Sequence, residues 1–344
     1  MIRPGLDDRI YPVFKITTVL DALAAEGVSA EDALTGVGVS RSALSSPATR
    51  VSINQIIECY CNADRLTRDP QFAYRAGLRF HVSAFGMYGF AILSSTDYRR
   101  TEHFAVKYHE LAIPLAEVSF KEENNFGAWT TIPLPHPRVD ARLYRYLVEL
   151  HFGIQLSLHR DVMGASFAAR ELHVTYGPPD DAPEYPDIFG CRVLFGQSQN
   201  KLLYDASWLD RTPTLGNEIT YLTMVELCDG LREELRLHIG LVGKVRQILL
   251  VNLIRSTRFN DVARRLNMST RTLRRKLREE NTSFRKLAGE LRMEVAIKYL
   301  RDTDLTVEDI AYTLGFSEAA NFRQAFRRWT NAAPQQFRDI SGRA

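Results

Sequence analysis

The fold is decided near the end of the chain by two stretches of one design, FNDVARRLNMSTRTLRRKLREE (Phe259–Glu280) and TVEDIAYTLGFSEAANFRQAFRRW (Thr306–Trp329). Each stretch predicts a short apolar helix, a tight turn and a second helix with exposed polar and basic residues. This is the layout of a helix-turn-helix, whose second helix enters the major groove of DNA. Two such units on one chain make DNA binding the leading hypothesis.

The turn of each unit carries the residue types that the motif requires. Ala263 and Ala311 are small, so that the second helix can cross the first closely. Asn267 and Gly315, each four residues later, suit a backbone with positive φ. Each turn is followed by a serine that would suit the N-cap of the second helix, Ser269 and Ser317.

The second helix of the first unit is predicted to carry base contacts. Leu273 and Leu277 face the core, which leaves basic and polar side chains on the outer faces. Arginine forms bidentate hydrogen bonds with guanine in the major groove. The DNA-binding candidates of this helix are Thr270, Arg278 and three base-reading arginines, Arg271, Arg274 and Arg275.

The second helix of the second unit is less basic at its start. Its asparagine and glutamine could read adenine, and its alanines could contact a thymine methyl group. Contacts mainly with the DNA backbone are the alternative. Its DNA-binding candidates are Ala319, Ala320, Asn321, Arg323, Gln324 and Arg327. Between the units, Ser283–Leu300 predicts a rigid linker helix, which would place the two reading helices in successive major grooves.

Charge separates the chain into two parts. The 344 residues predict two domains. Residues 241–344 hold 21 lysines and arginines against 11 aspartates and glutamates, a net charge of +10, whereas the remainder carries −7. A basic domain joined to an acidic one indicates that only the basic domain meets a polyanion.

Several classes of site and location have no sequence signal. The start, MIRPGLDDRIY, lacks the apolar core of a signal peptide, and no apolar run approaches the roughly 20 residues that span a bilayer. No nucleophile elbow, P-loop or dinucleotide motif occurs, so no catalytic residue is assigned. We expect a cytoplasmic protein with no metal, no cofactor, no membrane contact and four reduced cysteines without zinc spacing, Cys59, Cys61, Cys191 and Cys228.

The front of the chain mixes helix and strand patterns. Helices are predicted at Ile16–Ala25, Ala30–Leu34 and Ala141–Leu158, and a hairpin at Ala116–Lys121 and Ala128–Pro133. The predicted fold is an α+β sensor domain followed by an all-α domain with two helix-turn-helix units joined by a linker helix. The predicted domains are a ligand-binding and dimerisation domain at 1–210, an interdomain linker helix at 211–241 and a DNA-binding domain at 242–344. The apolar positions of the interdomain helix could also form a dimer interface, among them Ile219, Leu222, Val225 and Leu235.

With these motifs in place, residues 242–338 resemble the DNA-binding domain of the AraC/XylS-type transcription regulators. The match covers VARRLNMSTRTLRRKLREE, the I-A-x-x-x-G-F-S core, F-R-R-W and the closing Pro334 and Phe337-Arg338. The chain departs from the family by Asn281 and Asn331, where glycine is usual, and by Gln324, where arginine is usual. More weakly, YGFAILSS (Tyr88–Ser95) and FGCRVLFGQSQNKLLYDASWLDRTP (Phe189–Pro213) resemble the "arabinose-binding" ligand and dimerisation domain.

The resemblance implies a transcription regulator controlled by a small-molecule effector. Its expected partners are double-stranded promoter or operator DNA, the effector, RNA polymerase and a second copy of the chain. Candidate effector contacts are Phe85, Tyr88, His109 and Tyr146. Residues of these types more often belong to the plain core, which is the alternative for each of them. Two alternatives stay open: a constitutive regulator whose front domain only dimerises, and an enzyme with a DNA-targeting domain, which would need an activated cysteine.

Overall fold

The computed structural model describes residues 5–112, 114–179, 184–238, 240–251 and 258–342. By its contacts the chain divides into two compact units. The N-terminal unit holds most of residues 7–232. The C-terminal unit holds residues 233–342, with residues 5–6 and 135–141.

The N-terminal unit is built from helices around a small sheet. Helix α4 begins where Ser52 and Gln55 form a reciprocal capping box, so its first turn leaves few backbone donors unpaired. The helices that begin in residues 7–232 are α1 (Phe14–Ala24), α2 (Ala30–Ala33), α3 (Arg41–Leu44), α4 (Ile53–Leu66), α5 (Phe72–Gly77), α6 (Gly86–Ser94), α7 (Tyr98–Lys107), α8 (His109–Ala112), α9 (Ala141–Met163), α10 (Tyr185–Phe189) and α11 (Glu218–His238). Short 3-10 helices lie at Val82–Phe85 and Ala206–Asp210.

The main sheet has five strands within the described residues, in the order β3-β4-β7-β5-β6. Strands β5 and β6 pair in parallel, and the other neighbours are antiparallel. A separate pair is formed by β1 and β2. The strands are β1 (Tyr11–Pro12), β2 (Arg50–Val51), β3 (Ala116–Glu123), β4 (Phe126–Pro133), β5 (Glu171–His173), β6 (Arg192–Leu194) and β7 (Asn200–Asp205).

The predicted hairpin is confirmed, but its turn is shorter than the sequence indicated. Strands β3 and β4 pair up to Glu123 and Phe126, so the turn is only Asn124 and Asn125. Both asparagines have positive φ, 50° and 66°. Asparagine tolerates this conformation, and a two-residue turn of this kind matches the twist of the strands.

Helix α9 forms the centre of the N-terminal unit, since most of its side chains are buried on all sides. Helix α5 crosses it where Gly77 meets Gly153. A Cβ atom at Gly153 would lie 2.2 Å from the carbonyl oxygen of Tyr74, and one at Gly77 would lie 2.2 Å from that of Leu150. Only glycine allows the two backbones to approach this closely.

The C-terminal unit is entirely helical in its described part. Its apolar core includes Val245, Val262, Leu273 and Leu291, each exposed by 1% or less. Besides the end of α11, its helices are α12 (Gly240–Val251), α13 (Phe259–Arg265), α14 (Thr270–Glu279), α15 (Phe284–Asp302), α16 (Val307–Thr313), α17 (Ala319–Thr330) and α18 (Pro334–Gly342). The predicted fold class, an N-terminal domain with helices on a sheet followed by a helical domain, is confirmed.

Candidate nucleic-acid interface

The first helix-turn-helix consists of α13 and α14. Asn267 sits in the turn with φ of +53°, and the amide of Met268 returns to the carbonyl of Ala263 at 2.9 Å. The side chain of Ser269 then accepts a hydrogen bond from the amide of Thr272, which caps α14. The turn chemistry predicted from the sequence therefore forms in this unit.

Helix α14 presents its arginines on one face. Leu273 and Leu277 are buried, while four arginines are exposed and Thr270 is half-buried. At 3.6 residues per turn the four arginines span an arc of about 100° opposite the two leucines. These arginines are Arg271, Arg274, Arg275 and Arg278.

The four arginines differ in their contacts within the protein. Arg275 forms an ion pair with Glu279 at 2.5 Å, and the guanidinium of Arg274 lies 5.4 Å from the ring centroid of Phe259. Arg271 and Arg278 have no such contact in the part of the chain that the structure describes. Their guanidinium groups are thus the two that can meet DNA without first leaving a protein partner.

The second helix-turn-helix, α16 and α17, has the same turn geometry. Gly315 has φ of +78°, and the amide of Phe316 bonds to the carbonyl of Ala311 at 3.0 Å. The prediction for Ser317 is wrong, however. The turn is one residue longer than in the first unit, so the N-cap of α17 is Glu318 and not Ser317. The side chain of Glu318 makes no capping hydrogen bond.

Helix α17 exposes a mixed polar face. Phe322 and Phe326 are buried beneath it. Arg323 forms an ion pair with Glu308 of α16, so its charge is partly engaged. Ala319 is half-buried, and the remaining candidates are exposed, namely Ala320, Asn321, Arg323, Gln324 and Arg327.

The linker helix α15 ties the two units together. On one side, Arg246 of α12 is 1% exposed and forms ion pairs with Glu290 at 2.9 Å and Glu294 at 2.6 Å. On the other side, Nε of Arg292 donates to the carbonyl of Leu314 at 3.1 Å. Polar contacts therefore hold α15 against α12, whose apolar side chains share a core with the first helix-turn-helix, and against the second helix-turn-helix itself.

The two asparagines that depart from the family pattern both occupy glycine-like backbone positions. Asn281 has φ of +54° and Asn331 has φ of +59°. Each follows the end of a helix, α14 and α17. Asparagine is the residue that most often replaces glycine at such ends, so the departures preserve the local backbone.

The structure does not gather the four candidate effector contacts into one cavity. Phe85 packs in the core against Phe14, and His109 is buried with Nδ1 2.8 Å from the carbonyl of Val106. Tyr146 borders a cleft with Arg145 and Glu149. Tyr88 borders a different cavity around Glu102, which we call the glutamate cavity; its lining includes Tyr98, Trp129, Gln155 and His159.

Sequence reasoning missed Glu102, the polar centre of that cavity. Tyr204 donates to its carboxylate at 3.0 Å and Nε1 of Trp129 at 2.5 Å. Burial raises the pKa of Glu102 from 4.5 to about 7, although hydrogen bonds from these groups and Tyr98 oppose the rise. The sequence signal was hidden because Glu102 lies in YRRTEHF, a helix segment that reads as polar and exposed.

It also missed Lys15, which is 5% exposed in the first turn of α1. The available signal was its spacing, because Lys15 precedes buried Val19 by four residues and so falls on the apolar side of the helix. Lys15 and His151 line a second, narrow cavity, which we call the lysine cavity. Its other walls are mainly apolar and include Ile56, Phe80, Leu115, Leu147, Leu150 and Ile154.

Three of the four cysteines lack the lowered pKa of an activated nucleophile. All four are free thiols. Burial raises the pKa of Cys59 to about 12 and those of Cys191 and Cys228 to about 11, so these three groups are protonated at neutral pH. Within the described ranges no cluster of His, Cys, Asp and Glu could hold a metal ion, and no helix there is long and apolar enough to cross a membrane.

Comparison with known proteins agrees with this architecture. Residues 27–213 match the family model of the arabinose-binding domain of AraC transcription regulators, and residues 262–340 match a helix-turn-helix domain. The ornithine utilization regulator of Pseudomonas aeruginosa is 29% identical over 96% of both chains. An uncharacterized HTH-type transcriptional regulator of Mycobacterium tuberculosis is 27% identical over 95% of this chain and 96% of its own.

A solved structure supports the fold at the level of the whole chain. The transcriptional regulator CdpR of Pseudomonas aeruginosa superposes with a TM-score of 0.51 and 19% identity, covering 96% of this chain and all of its own. The N-terminal family model spans more than half of the residues, and the helix-turn-helix model runs from within α13 to α18. The chain therefore belongs to the AraC family of transcription regulators and is a DNA-binding, helix-turn-helix member of it.

Proposed function

We propose that α14 reads base edges in the major groove of a promoter or operator and that an effector bound to the N-terminal domain controls this binding. The observation that carries the first part is the exposed arginine face of α14, above all Arg271, which has no partner among the described residues. A second basic side chain at the far end of this face, Arg278, is placed to meet phosphate.

In this proposal α17 supplies the second set of contacts. Its candidates remain Ala319, Ala320, Asn321, Arg323, Gln324 and Arg327. The ion pair of Arg323 with Glu308 must open before Arg323 can reach DNA. We infer that α14 contributes more of the sequence preference than α17. Arg271, without a partner among the described residues, lies in the first turn of α14, the end that contacts bases, whereas the first arginine of α17, Arg323, is paired with Glu308.

The functional division of the chain follows the proposed domains, with ligand binding and dimerisation in 1–210, an interdomain helix in 211–241 and DNA binding in 242–344. A regulator of this kind works in the cytoplasm with its DNA and meets RNA polymerase there. The raised pKa values of Cys59, Cys191 and Cys228 favour a regulator over the enzyme alternative, since that alternative needs a reactive thiolate.

Arg271→Ala tests the reading role of α14. The full chain first selects its preferred DNA from a random pool, and gel-shift titrations then compare this site with unrelated DNA. Loss of a bidentate guanine contact should weaken specific binding by about 1–3 kcal/mol and leave unrelated DNA nearly unchanged. Equal losses on both DNAs would make Arg271 a phosphate contact and contradict base reading.

Two control variants sharpen that result. Arg278→Ala should weaken binding to both DNAs alike and reduce the slope of log affinity against log salt by about 1. Arg41→Ala, which changes an exposed side chain in the N-terminal unit, should change neither the affinity nor the salt slope.

A panel of metabolites tests effector control. The panel includes ornithine, because one relative is named for its utilization. A DNA affinity that responds to none of these metabolites favours the constitutive alternative.

A further inference from the structure

Lys15 carries a buried amine without an anionic partner among the described residues. Its side chain is 5% exposed, and among the described residues no carboxylate or hydrogen-bond acceptor pairs with its ammonium group. Nζ lies 4.2 Å from the ring centroid of Phe14 and 4.6 Å from that of Phe85. These rings attract a cation, but they replace little of the water that an ammonium group loses on burial.

The position of Lys15 adds to this cost. It lies in the first turn of α1, where the helix dipole disfavours positive charge, and no acidic residue occupies that turn. Burial accordingly lowers the pKa of Lys15 well below its usual value. A bound anion would offset this cost and favour the protonated form of Lys15. Without a ligand, methionine at this position should give a more stable fold, because it buries no ionisable group.

A second polar group faces the same cavity. Nε2 of His151, on α9, is buried without a hydrogen-bond partner in the described structure. Burial, together with the nearby charges of Lys15 and His109, lowers the pKa of His151 to about 3, so its imidazole is neutral at pH 7. A neutral imidazole can donate one hydrogen bond, which matches one oxygen of a carboxylate while Lys15 meets the other.

The remaining walls of the lysine cavity define the rest of the ligand. They are formed by aliphatic and aromatic side chains from α4, α9 and the sheet region, including Ile56, Leu115, Leu147, Leu150 and Ile154. The hydroxyl of Tyr60, which also lines the cavity, already donates to the carbonyl of Lys15 at 2.9 Å. A cavity that then offers one amine and one imidazole to a ligand favours a monoanion with an apolar body over a phosphate, which would require more donors.

We propose that the lysine cavity binds a small carboxylate with an apolar body, whose oxygens contact Lys15 and His151. This inference rests on the proposed control by an effector and names the chemical class of that effector. It also assigns the effector to a cavity that none of the four residues predicted from the sequence lines, although Phe85 packs against the ammonium group of Lys15.

The test measures binding to the full chain without DNA, by calorimetry and by the shift of the melting temperature. The probes are butanoate, octanoate and 3-phenylpropanoate. Octan-1-ol and octylamine serve as control compounds, because they have the apolar chain of octanoate without its negative charge. At least one of the three carboxylates should bind. If octanoate is that ligand, octan-1-ol and octylamine should bind at least tenfold more weakly than octanoate. Failure of all three carboxylates would overturn the proposal, as would equal binding of octan-1-ol and octanoate.

Lys15→Met and the milder Lys15→Gln then locate the site. Either variant should lose at least tenfold in affinity for the carboxylate, and Lys15→Met should melt at a higher temperature than the unmodified chain when no ligand is present. Lys121→Met, at an exposed lysine of β3, is the matched control and should change neither value. Carboxylate binding within threefold of the original affinity in both Lys15 variants would overturn the assignment.

A final measurement separates this proposal from effector control in general. Carboxylate binding that leaves DNA affinity and transcription unchanged would establish the site and contradict its regulatory role. A response of DNA binding to another class of metabolite, with no carboxylate bound, would overturn the carboxylate site and leave effector control standing.

Discussion

At the scale of the residue, the N-terminal unit contains buried titratable groups. Burial disfavours the charged form of each of these groups. Glu102 is the clearest case, with a pKa near 7 in the folded protein against an ordinary value of 4.5. Between these two values the folded chain keeps a proton that the unfolded chain has lost. This group therefore stabilises the fold fully below pH 4.5, and its contribution is lost as pH rises through 7.

Glu102→Gln should reveal that contribution, because the amide resembles the protonated acid. We expect the variant and the unmodified chain to have similar unfolding free energies near pH 4.5. Above pH 7 the variant should be more stable, by up to about 3 kcal/mol. Urea unfolding at several pH values, followed by tryptophan fluorescence, measures the difference.

Taking the difference between the two chains cancels the opposite effect of His159, whose pKa burial lowers to about 3. Glu184→Gln, at an exposed carboxylate, is the control and should change stability by no more than about 0.5 kcal/mol at any pH. The stability of Glu102→Gln relative to the unmodified chain should rise with pH. If this difference in unfolding free energy falls as pH rises, the raised pKa of Glu102 is refuted.

The residues themselves show where sequence reasoning reached its limit. The positive φ of Asn267 and Gly315 and the capping role of Ser269 followed from local chemistry and were predicted. Burial of Lys15 and Glu102 was not, because it depends on which distant elements cover a helix face. A charged residue in an amphipathic segment is usually solvated, and only tertiary packing reverses that expectation.

At the scale of the element, the helices of the two helix-turn-helix units, the long helices α1, α9, α11 and α15, and the hairpin were predicted because their patterns are local. The other sheet partners were not. Strand β7 lies between β4 and β5 although 67 residues separate its first residue from the end of β4, and short strands such as β5 and β6 carry too few alternating positions to show their pairing. The candidate reading face of α14 was predicted, whereas the ion pairs of Arg275 and Arg323 depend on side-chain geometry.

The pairing of α12 with α15 gives a second prediction. Arg246→Met would leave Glu290 and Glu294, with side chains 16% and 15% exposed, without the arginine between them. Removal of one partner from a buried ionic group costs about 3–5 kcal/mol. Denaturant unfolding of the full chain, followed through Trp329 fluorescence in a variant without the other tryptophans, should show that loss.

A matched control separates burial from the loss of any ion pair. Arg264→Met breaks the exposed pair with Asp261 and should cost less than about 1 kcal/mol. Restoring charge balance with Arg246→Met, Glu290→Gln and Glu294→Gln together should recover a large part of the stability. Equal effects of the two arginine substitutions would mean that the buried ionic group does not fix α15.

At the scale of the whole molecule, the chain joins an acidic N-terminal part to a basic C-terminal part. Its described residues include an exposed apolar surface that neither DNA nor a small ligand explains. We call this surface the apolar α11 face. Leu215 is 63% exposed, Ile219 79% and Leu222 56%. Large apolar side chains grouped on a surface commonly mark an interface with another protein. We propose that the homodimer extends beyond the dimerisation domain at 1–210 onto this face of the interdomain helix, the other dimer interface that its apolar positions indicated, so that a twofold axis would set the same patch of each subunit against the other.

Ile219→Arg should disrupt that dimer, because a charge at its centre would be buried in both subunits without a partner. Sedimentation at about 10 µM should show a dimer for the unmodified chain and a monomer for the variant, and affinity for the selected DNA should fall while binding to unrelated DNA changes little. Leu305→Arg places the same charge at an exposed leucine of the C-terminal unit and should leave the dimer intact. If Ile219→Arg and the unmodified chain sediment alike, the apolar α11 face is not the dimer interface, and the interface must lie on another surface.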